Sequence, residues 1–541
     1  MLLHITEPYL WFPVGKGEPE VKLHLYLDGE KFQEIDIRLG GADKDLYTAM
    51  YVGAYLGKDV EIRGDVREEL LAGIVCHKDR VQDAYPFRPQ LHFSPKIGWN
   101  NDPNGLVYAD GLYHLYYQWN PYDLCWGNMH WGHAVSKDLL TWEHRPPAIR
   151  PDVYGPAYSG CGWVDREGVA GYGKDALLFY YTAAGGRDQW SAEAGHQFTQ
   201  RLRVSTDGGD TLELSDQFLI GHVAGEDRDP KVLYHKESDA YILLLYLEGY
   251  GSAVYRSKNL LDWKEASRFR VKDMWECPNL FRLPVEELKS PGGEDGAKGA
   301  PESRGHEERW VFWSADGYYM VGDFDGYTFV PQTSVLMAYS TKLPYAAQTY
   351  AGVKDRVISV AWLRMENDRG NYRGLMSLPA EVSLVKMGKD YRLRLWPVRE
   401  LAAWRQLDKK LGKGQKYTKI RLGGAPLEVD LAWDPQEKGR TKLCLANYEI
   451  IIDYPRETIS FYELEKRRDM AAIFFRRTEA LTLKLIIDQE VIEFYGNGGL
   501  IYGAVEMTEN VLQKTLTMTS NMELKSMCWR SLSPNGGPKS T

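Results

Sequence analysis

A seven-residue segment returns in this chain. Ser136-Lys137-Asp138-Leu139-Leu140-Thr141-Trp142 reappears 121 residues later as Ser257-Lys258-Asn259-Leu260-Leu261-Asp262-Trp263, each copy preceded by a strand-like run containing Ala-Val. A weaker echo, Arg203-Val204-Ser205-Thr206-Asp207, lies between them. A four-stranded blade takes about 40–60 residues, so this spacing fits two blades of a radial array and predicts a β-propeller. Two unrelated turns sharing a Leu-Leu-x-Trp plug are the alternative.

The surrounding sequence is strand-like. Most apolar runs are short, β-branched or aromatic, and bounded by Gly, Asp or Asn. Asp110-Gly111, Asp316-Gly317 and Asp325-Gly326 each separate two such runs, and both turn positions tolerate positive φ, which marks hairpins. Helical patterns are scarce: residues 66–82 and 396–412 are the candidates, at positions that look like junctions. At about 150 residues per domain, 541 residues imply three to four folding units. The expected division is a β-rich module over 1–87, a propeller over 88–395, and a linker helix with a β-sandwich over 396–541. Residues 286–308, rich in Gly, Pro and charge without an apolar period, are expected to form a solvated, mobile insertion.

Composition narrows the function. The formal charge of −9 lacks the cationic excess of a phosphate-backbone binder, so no nucleic-acid partner is expected. No stretch offers about 18 unbroken apolar residues for a membrane span, nor the pattern of a signal peptide. The chain as given is therefore expected in the cytoplasm, or secreted if an upstream signal was removed. Six scattered cysteines without CxxC spacing read as free thiols. Aromatics make up 13% of the chain, and such rings suit both all-β cores and sugar platforms.

Three acidic sites sit in stiff contexts. In Trp99-Asn100-Asn101-Asp102-Pro103-Asn104-Gly105 the proline biases Asp102 to extended backbone before a tight turn, although an ordinary turn would look the same. In Arg228-Asp229-Pro230 the guanidinium is expected to hold Asp229 ionised by charge pairing, with a surface ion pair as the plain alternative. Glu276 is flanked by Met274, Trp275, Cys277 and Pro278; closed over it, these would raise its pKa and make a proton donor, or it is a buried structural glutamate. One charged and one protonated carboxyl are what a retaining glycosidase needs.

Taken together, these segments resemble glycoside hydrolase family 32, the invertase, inulinase and levanase family, over roughly residues 88–530. Trp99 to Gly105 is similar to that family's sucrose box, Arg228-Asp229-Pro230 to its RDP motif, and Glu276-Cys277-Pro278 to its EC motif. The resemblance implies an all-β fold, a five-bladed β-propeller followed by a C-terminal β-sandwich, with a small N-terminal β-rich domain like that ahead of the propeller in bacterial levanase-type members. It implies Asp102 as nucleophile, Glu276 as general acid/base and Asp229 as transition-state stabiliser. It places Asn101, Gln118, Trp126, Ser159, Arg228, Tyr345 and Trp362 at fructose-binding positions, with no metal and no cofactor. The substrates implied are sucrose, fructooligosaccharides or fructans, attacked from the end.

Departures from the family pattern occur at Asn100, at Tyr158-Ser159-Gly160-Cys161 and at Leu343-Pro344 before Tyr345. They bear on leaving-group specificity more than on chemistry. A fructosyltransferase remains open within the family, and a non-catalytic fructan-binding propeller outside it. Other classes fit less well: Gly171-Tyr172-Gly173-Lys174-Asp175-Ala176 precedes a strand rather than opening a helix, Cys125, His130 and His133 belong to an aromatic strand segment rather than a zinc site, and no nucleophile elbow or phosphate loop is present. Oligomeric state is not encoded legibly.

Overall fold

The computed structural model describes the chain except residues 42, 82–84, 86, 217–219, 250, 288–306, 413, 435–437, 477–479 and 535–541. The expected insertion therefore lies almost wholly outside the described residues.

Five antiparallel fans form the centre of the molecule. The first is built from Gly98–Ala109, Leu112–Asn120, His130–Ser136 and Glu143–Ile149; the second from Ala157–Asp165, Ala176–Ala184, Phe198–Ser205 and Glu213–Leu214. Arg228–His235, Ala240–Leu247, Gly251–Ser257 and Lys264–Arg270 form the third. Asn279–Glu287, Glu308–Trp313, Tyr318–Phe324 and Phe329–Pro331 form the fourth, and Pro344–Thr349, Val357–Leu363, Ala380–Met387 and Asp390–Pro397 the fifth. The innermost strands of the first four fans pack one against the next, Thr349 Oγ1 of the fifth donates to Asn279 Oδ1 of the fourth at 3.1 Å, and Pro344–Thr349 returns to Gly98–Ala109, so the fans close into a β-propeller. Tyr372 and Arg373, from the fifth fan, also pair in parallel with Gly98 and Trp99 and seal the ring. Burial follows position: the second strand of the second fan is buried along its whole length, whereas Lys264–Arg270 at an outer edge alternates toward water.

The recurring segment has a physical cause. Ser136 closes a third strand, and Asp138 then accepts hydrogen bonds from Leu140 N (3.0 Å) and Thr141 N (2.7 Å), while Leu139 takes φ 64° and buries. Asn259 repeats this with Leu261 N (3.1 Å) and Asp262 N (2.9 Å), and Leu260 takes φ 65°. The weaker echo makes a related, longer turn in the second fan, where Asp207 accepts from Thr211 N at 3.0 Å and Gly208 and Gly209 take the positive φ. Short polar side chains that bond their own backbone turn the chain at the same point of three blades.

A seven-stranded module precedes the ring, with one sheet of four strands and one of three. They enclose Leu10, Phe12, Leu23, Leu25, Ile35, Ile37, Val60 and Ile62, each contributing about 1.5–3 kcal/mol on burial, and Tyr122 of the propeller joins the same core. Two six-stranded sheets follow the ring and form the β-sandwich. The join between ring and sandwich carries buried charge: His92 lies 3.0 Å from Asp488 Oδ2 and 3.2 Å from Glu493 Oε1. Burial would depress the imidazole pKa, but the two carboxylates outweigh it and lift it to about 9.

Both expected helices are corrected. Among the described residues of 66–82 only Glu68–Leu71 is α-helical; Gly73 follows, and β-branched Val75 opens a strand, Val75–His77, that pairs with Trp11. In 396–412 a 3-10 turn, Arg399–Trp404, buries Leu401 and Trp404, after which Lys409–Lys410 joins the sandwich sheet. Sheet pairing overrides helical propensity in both places.

Candidate active site

The inner strands break register where they contribute polar side chains. Pairing slips between Asn100 and Pro103 around Asp102, between Ala157 and Gly160 around Ser159, between Arg228 and Lys231 around Asp229, and between Tyr345 and Gln348. Pro103 and Pro230 have no N–H to give to a ladder, so a bulge follows each acid and redirects it. Asp229 sits at φ 62° and Cys277 at φ 52°, a left-handed conformation that only surrounding packing sustains. Gly160 is needed for close approach, because a Cβ there would lie 2.0 Å from Tyr180 O.

These bulges bring three acids together. Asp102 Oδ2 accepts from Ser159 Oγ at 2.7 Å, and its Oδ1 from Asn101 Nδ2 at 3.2 Å. Asp229 Oδ2 accepts from Cys277 N at 3.0 Å. The Cys277 thiol lies 3.6 Å from Asp102 Oδ2 and 3.5 Å from Asp229 Oδ2, so the residue next to Glu276 bridges both aspartates. Glu276 Oε2 accepts from Arg228 Nε (3.0 Å) and Nη2 (2.7 Å), and its Oε1 from the Tyr345 hydroxyl at 2.7 Å.

Charge in this dry site follows geometry. Burial, then the negative charge of Glu276, pushes the Asp102 carboxyl up to about 6 against the donors Ser159, Asn101 and Cys277. Burial also raises Asp229; the Arg228 charge opposes it, and the Glu276 and Asp102 carboxylates add to it. Burial and the neighbouring carboxylates raise the Cys277 thiol well above its ordinary range.

Two expectations are corrected here. Arg228 does stand by its sequence neighbour, its Nε 3.9 Å from Asp229 Oδ2, but its side-chain hydrogen bonds go to Glu276 and to Glu226 O, and burial outweighs its charge, so the Asp229 pKa is raised rather than held down. Glu276 was expected under an apolar cover, yet Met274 turns into the core beside Ile242 and Phe312, and the carboxylate faces two donors.

The remaining expected residues divide in two. Trp362 stands edge-on to Tyr345 at 6.1 Å and to Trp99 at 5.6 Å, and its buried Nε1 has no hydrogen-bond partner among the described residues. Asn101 is held by Trp99 Nε1 at 3.0 Å. Gln118 gives its Nε2 to Ala157 O at 2.8 Å. Trp126 is outside the carboxylate network; it is 53% exposed and lies edge-on to Tyr158 at 5.8 Å.

Three contributors were missed. Thr182 Oγ1 accepts the Asp229 N–H at 3.1 Å and donates to Gln200 Oε1, which fixes the strained backbone of Asp229. A threonine inside the apolar run of Ala176–Ala184 was the available signal, since buried polar groups keep partners. Arg364 lies over the Tyr345 ring at 4.2 Å.

Residues 92–397 match the model of the glycosyl hydrolases family 32 N-terminal domain. The chain belongs to glycoside hydrolase family 32. A levanase of Bacillus subtilis is 36% identical to this family 32 chain over 375 residues, 63% of this chain and 52% of the levanase. A sucrose-6-phosphate hydrolase of Zymomonas mobilis is 33% identical over 356 residues, 59% of this chain and 64% of that protein. The chain thus spans about half to two thirds of these relatives. A crystal structure of exo-inulinase from Aspergillus awamori shares the fold at a TM-score of 0.71 and 23% identity, covering 84% of this chain and 99% of that one.

Proposed function

We propose that this glycoside hydrolase releases terminal β-D-fructofuranosyl units from sucrose, fructooligosaccharides or fructans, with retention of configuration. The observation that carries the reading is the Cys277 bridge, which joins Asp102 and Asp229 beside Glu276 in one buried site. The names of the levanase and sucrose-6-phosphate hydrolase relatives support the fructosyl substrate.

In the first step an Asp102 oxygen bonds to C2 of the fructosyl unit as the C2–O bond to the leaving sugar breaks, and Glu276 gives its proton to the departing oxygen. The donors Arg228 and Tyr345 then stabilise the Glu276 carboxylate so formed. In the second step Glu276 takes a proton from water, the water oxygen bonds to C2, and the C2–Asp102 ester breaks. Asp229, held by Cys277 N and Thr182, accepts from ring hydroxyls and offsets the positive charge that develops at C2.

The test is substitution with a stereochemical readout. Asp102→Asn and Glu276→Gln each lower turnover of sucrose by about 100-fold or more with unchanged circular dichroism. Proton NMR of early product from the unmodified enzyme shows β-fructofuranose first; α-fructofuranose first overturns retention.

A further inference from the structure

The Thr182 contact is the first link of a longer chain. Thr182 and Gln200 are direct partners across two neighbouring strands of the second fan, Ala176–Ala184 and Phe198–Ser205. Thr182 Oγ1 donates to Gln200 Oε1 at 2.6 Å and accepts, at 3.1 Å, the N–H of Asp229 on the innermost strand of the third fan. Gln200 Nε2 in turn donates to Asp227, to its backbone O at 3.1 Å and its Oδ2 at 3.2 Å. The Gln200 backbone is pinned as well, its N–H given to Ile220 O at 2.9 Å. Thr182, Gln200 and Asp227 are all completely buried.

The direction of this chain is forced from one end to the other. The backbone oxygen of Asp227 can only accept, so the Gln200 amide turns its NH2 toward Asp227 and its oxygen toward Thr182. The Thr182 hydroxyl then donates to Gln200, which leaves its lone pairs for the Asp229 N–H. That N–H belongs to a residue at φ 62°, a conformation that a non-glycine residue keeps only under constraint. The carboxylate of the same residue is held by Cys277 N at 3.0 Å, ahead of the fourth fan. The segment that ends the chain serves Arg228 too: Glu226 O accepts from Arg228 Nη1 at 2.7 Å, and Arg228 clasps Glu276.

We propose that Thr182, Gln200 and Asp227 form a buried brace from the second fan to the third that aims the Asp229 carboxylate, so that turnover depends on side chains that never meet the sugar. This rests on the β-fructofuranosidase reading above, in which Asp229 offsets the charge developing at C2. Within the site the brace reaches only the Asp229 backbone, so its members are positioning residues. Without the Thr182 acceptor the Asp229 N–H is buried unpaired, its backbone relaxes, and the carboxylate loses its aim; a misplacement of about 1 Å is enough to cost about 100-fold in rate.

The experiment measures kcat, KM and melting temperature of the full chain on sucrose. Thr182→Val keeps the side chain's shape and loses the hydroxyl; kcat falls about 10- to 100-fold, while KM changes by no more than about threefold. Thr182→Ser keeps the hydroxyl and loses the methyl, and holds kcat within about threefold of the unmodified enzyme. A threonine needed for packing alone gives the opposite order, because the methyl survives in Thr182→Val and not in Thr182→Ser. Gln200→Met deprives Thr182 of its acceptor and lowers kcat about three- to tenfold, a second reading if Thr182→Val folds poorly. Combining Thr182→Val with Gln200→Met costs no more than Thr182→Val alone, because both cut one chain. The proposal is overturned by a kcat within about threefold of the unmodified enzyme in Thr182→Val, by Thr182→Ser performing no better than Thr182→Val, by an unchanged kcat in Gln200→Met, or by losses that multiply in the combined variant. An unmodified enzyme that turns over neither sucrose nor inulin nor levan refutes the activity itself, and this inference with it.

Discussion

Arg228 turns away from the residue that follows it in the chain and clasps Glu276 Oε2 with two donors, at 3.0 and 2.7 Å. Its guanidinium also lies over the Tyr246 ring, 4.8 Å from the centroid, and its Nη1 donates to Glu226 O at 2.7 Å, so contacts both near and far in sequence set its direction and plane.

That clasp predicts that Arg228→Lys is not a conservative change. A single ammonium keeps the charge and loses the paired geometry, and hydrogen bonds to charged groups contribute about 1.5–3 kcal/mol. Steady-state kinetics on sucrose should show kcat/KM reduced about 10- to 100-fold, with the melting temperature little changed.

On the proposed mechanism the acid limb of activity is assigned to Asp102. With its carboxyl near 6, kcat/KM falls as pH drops through about 6, because the protonated acid cannot attack. Ser159→Ala deletes a hydrogen bond to the charged form, so the pKa rises and the limb moves to higher pH. An unmoved limb in Ser159→Ala assigns it to another group.

Stability and activity oppose each other at the same residue. A carboxyl whose pKa is raised from 3.8 to about 6 by folding costs nothing at low pH, and stability is lost as pH rises between those values. Asp102→Asn should therefore melt higher than the unmodified protein at pH 7.5, by up to about 3 kcal/mol, and equally at pH 3.5. Calorimetry at the two pH values checks the sign.

His92 titrates the other way in effect. A base raised from 6.5 to about 9 contributes stability that is complete below pH 6.5 and disappears as pH climbs through about 9. His92→Gln should melt lower than the unmodified protein at pH 6, and the difference should shrink by pH 10.

The blades and the acids were legible to unequal depth. Asp138 and Asn259 announce themselves because the turn they make is local: acceptor and donors lie within three residues. The convergence of Asp102, Asp229 and Glu276 came through likeness to a family, since separations of 127 and 47 positions along the chain carry no local sign of meeting. Arg228 keeps its sequence neighbour within 3.9 Å, but its two-donor hydrogen bond goes to Glu276, 48 residues away, a partner that no local pattern names. Gly73 and Val75 ended the first expected helix because Trp11 offered an unpaired strand edge, which no window over 66–82 contains.

The pairing of Tyr372 and Arg373 with Gly98 and Trp99 sets an order on synthesis. The strand bearing Asp102 is made early, whereas Ala351, whose backbone pairs with Leu106 and Tyr108, and then Tyr372 and Arg373 follow only some 240 to 270 residues later. A chain ending before Arg373 would hold all three acids yet leave Gly98 and Trp99 unpaired on that side, so on the proposed mechanism the strand of the nucleophile is the last part of the site to be fully clamped.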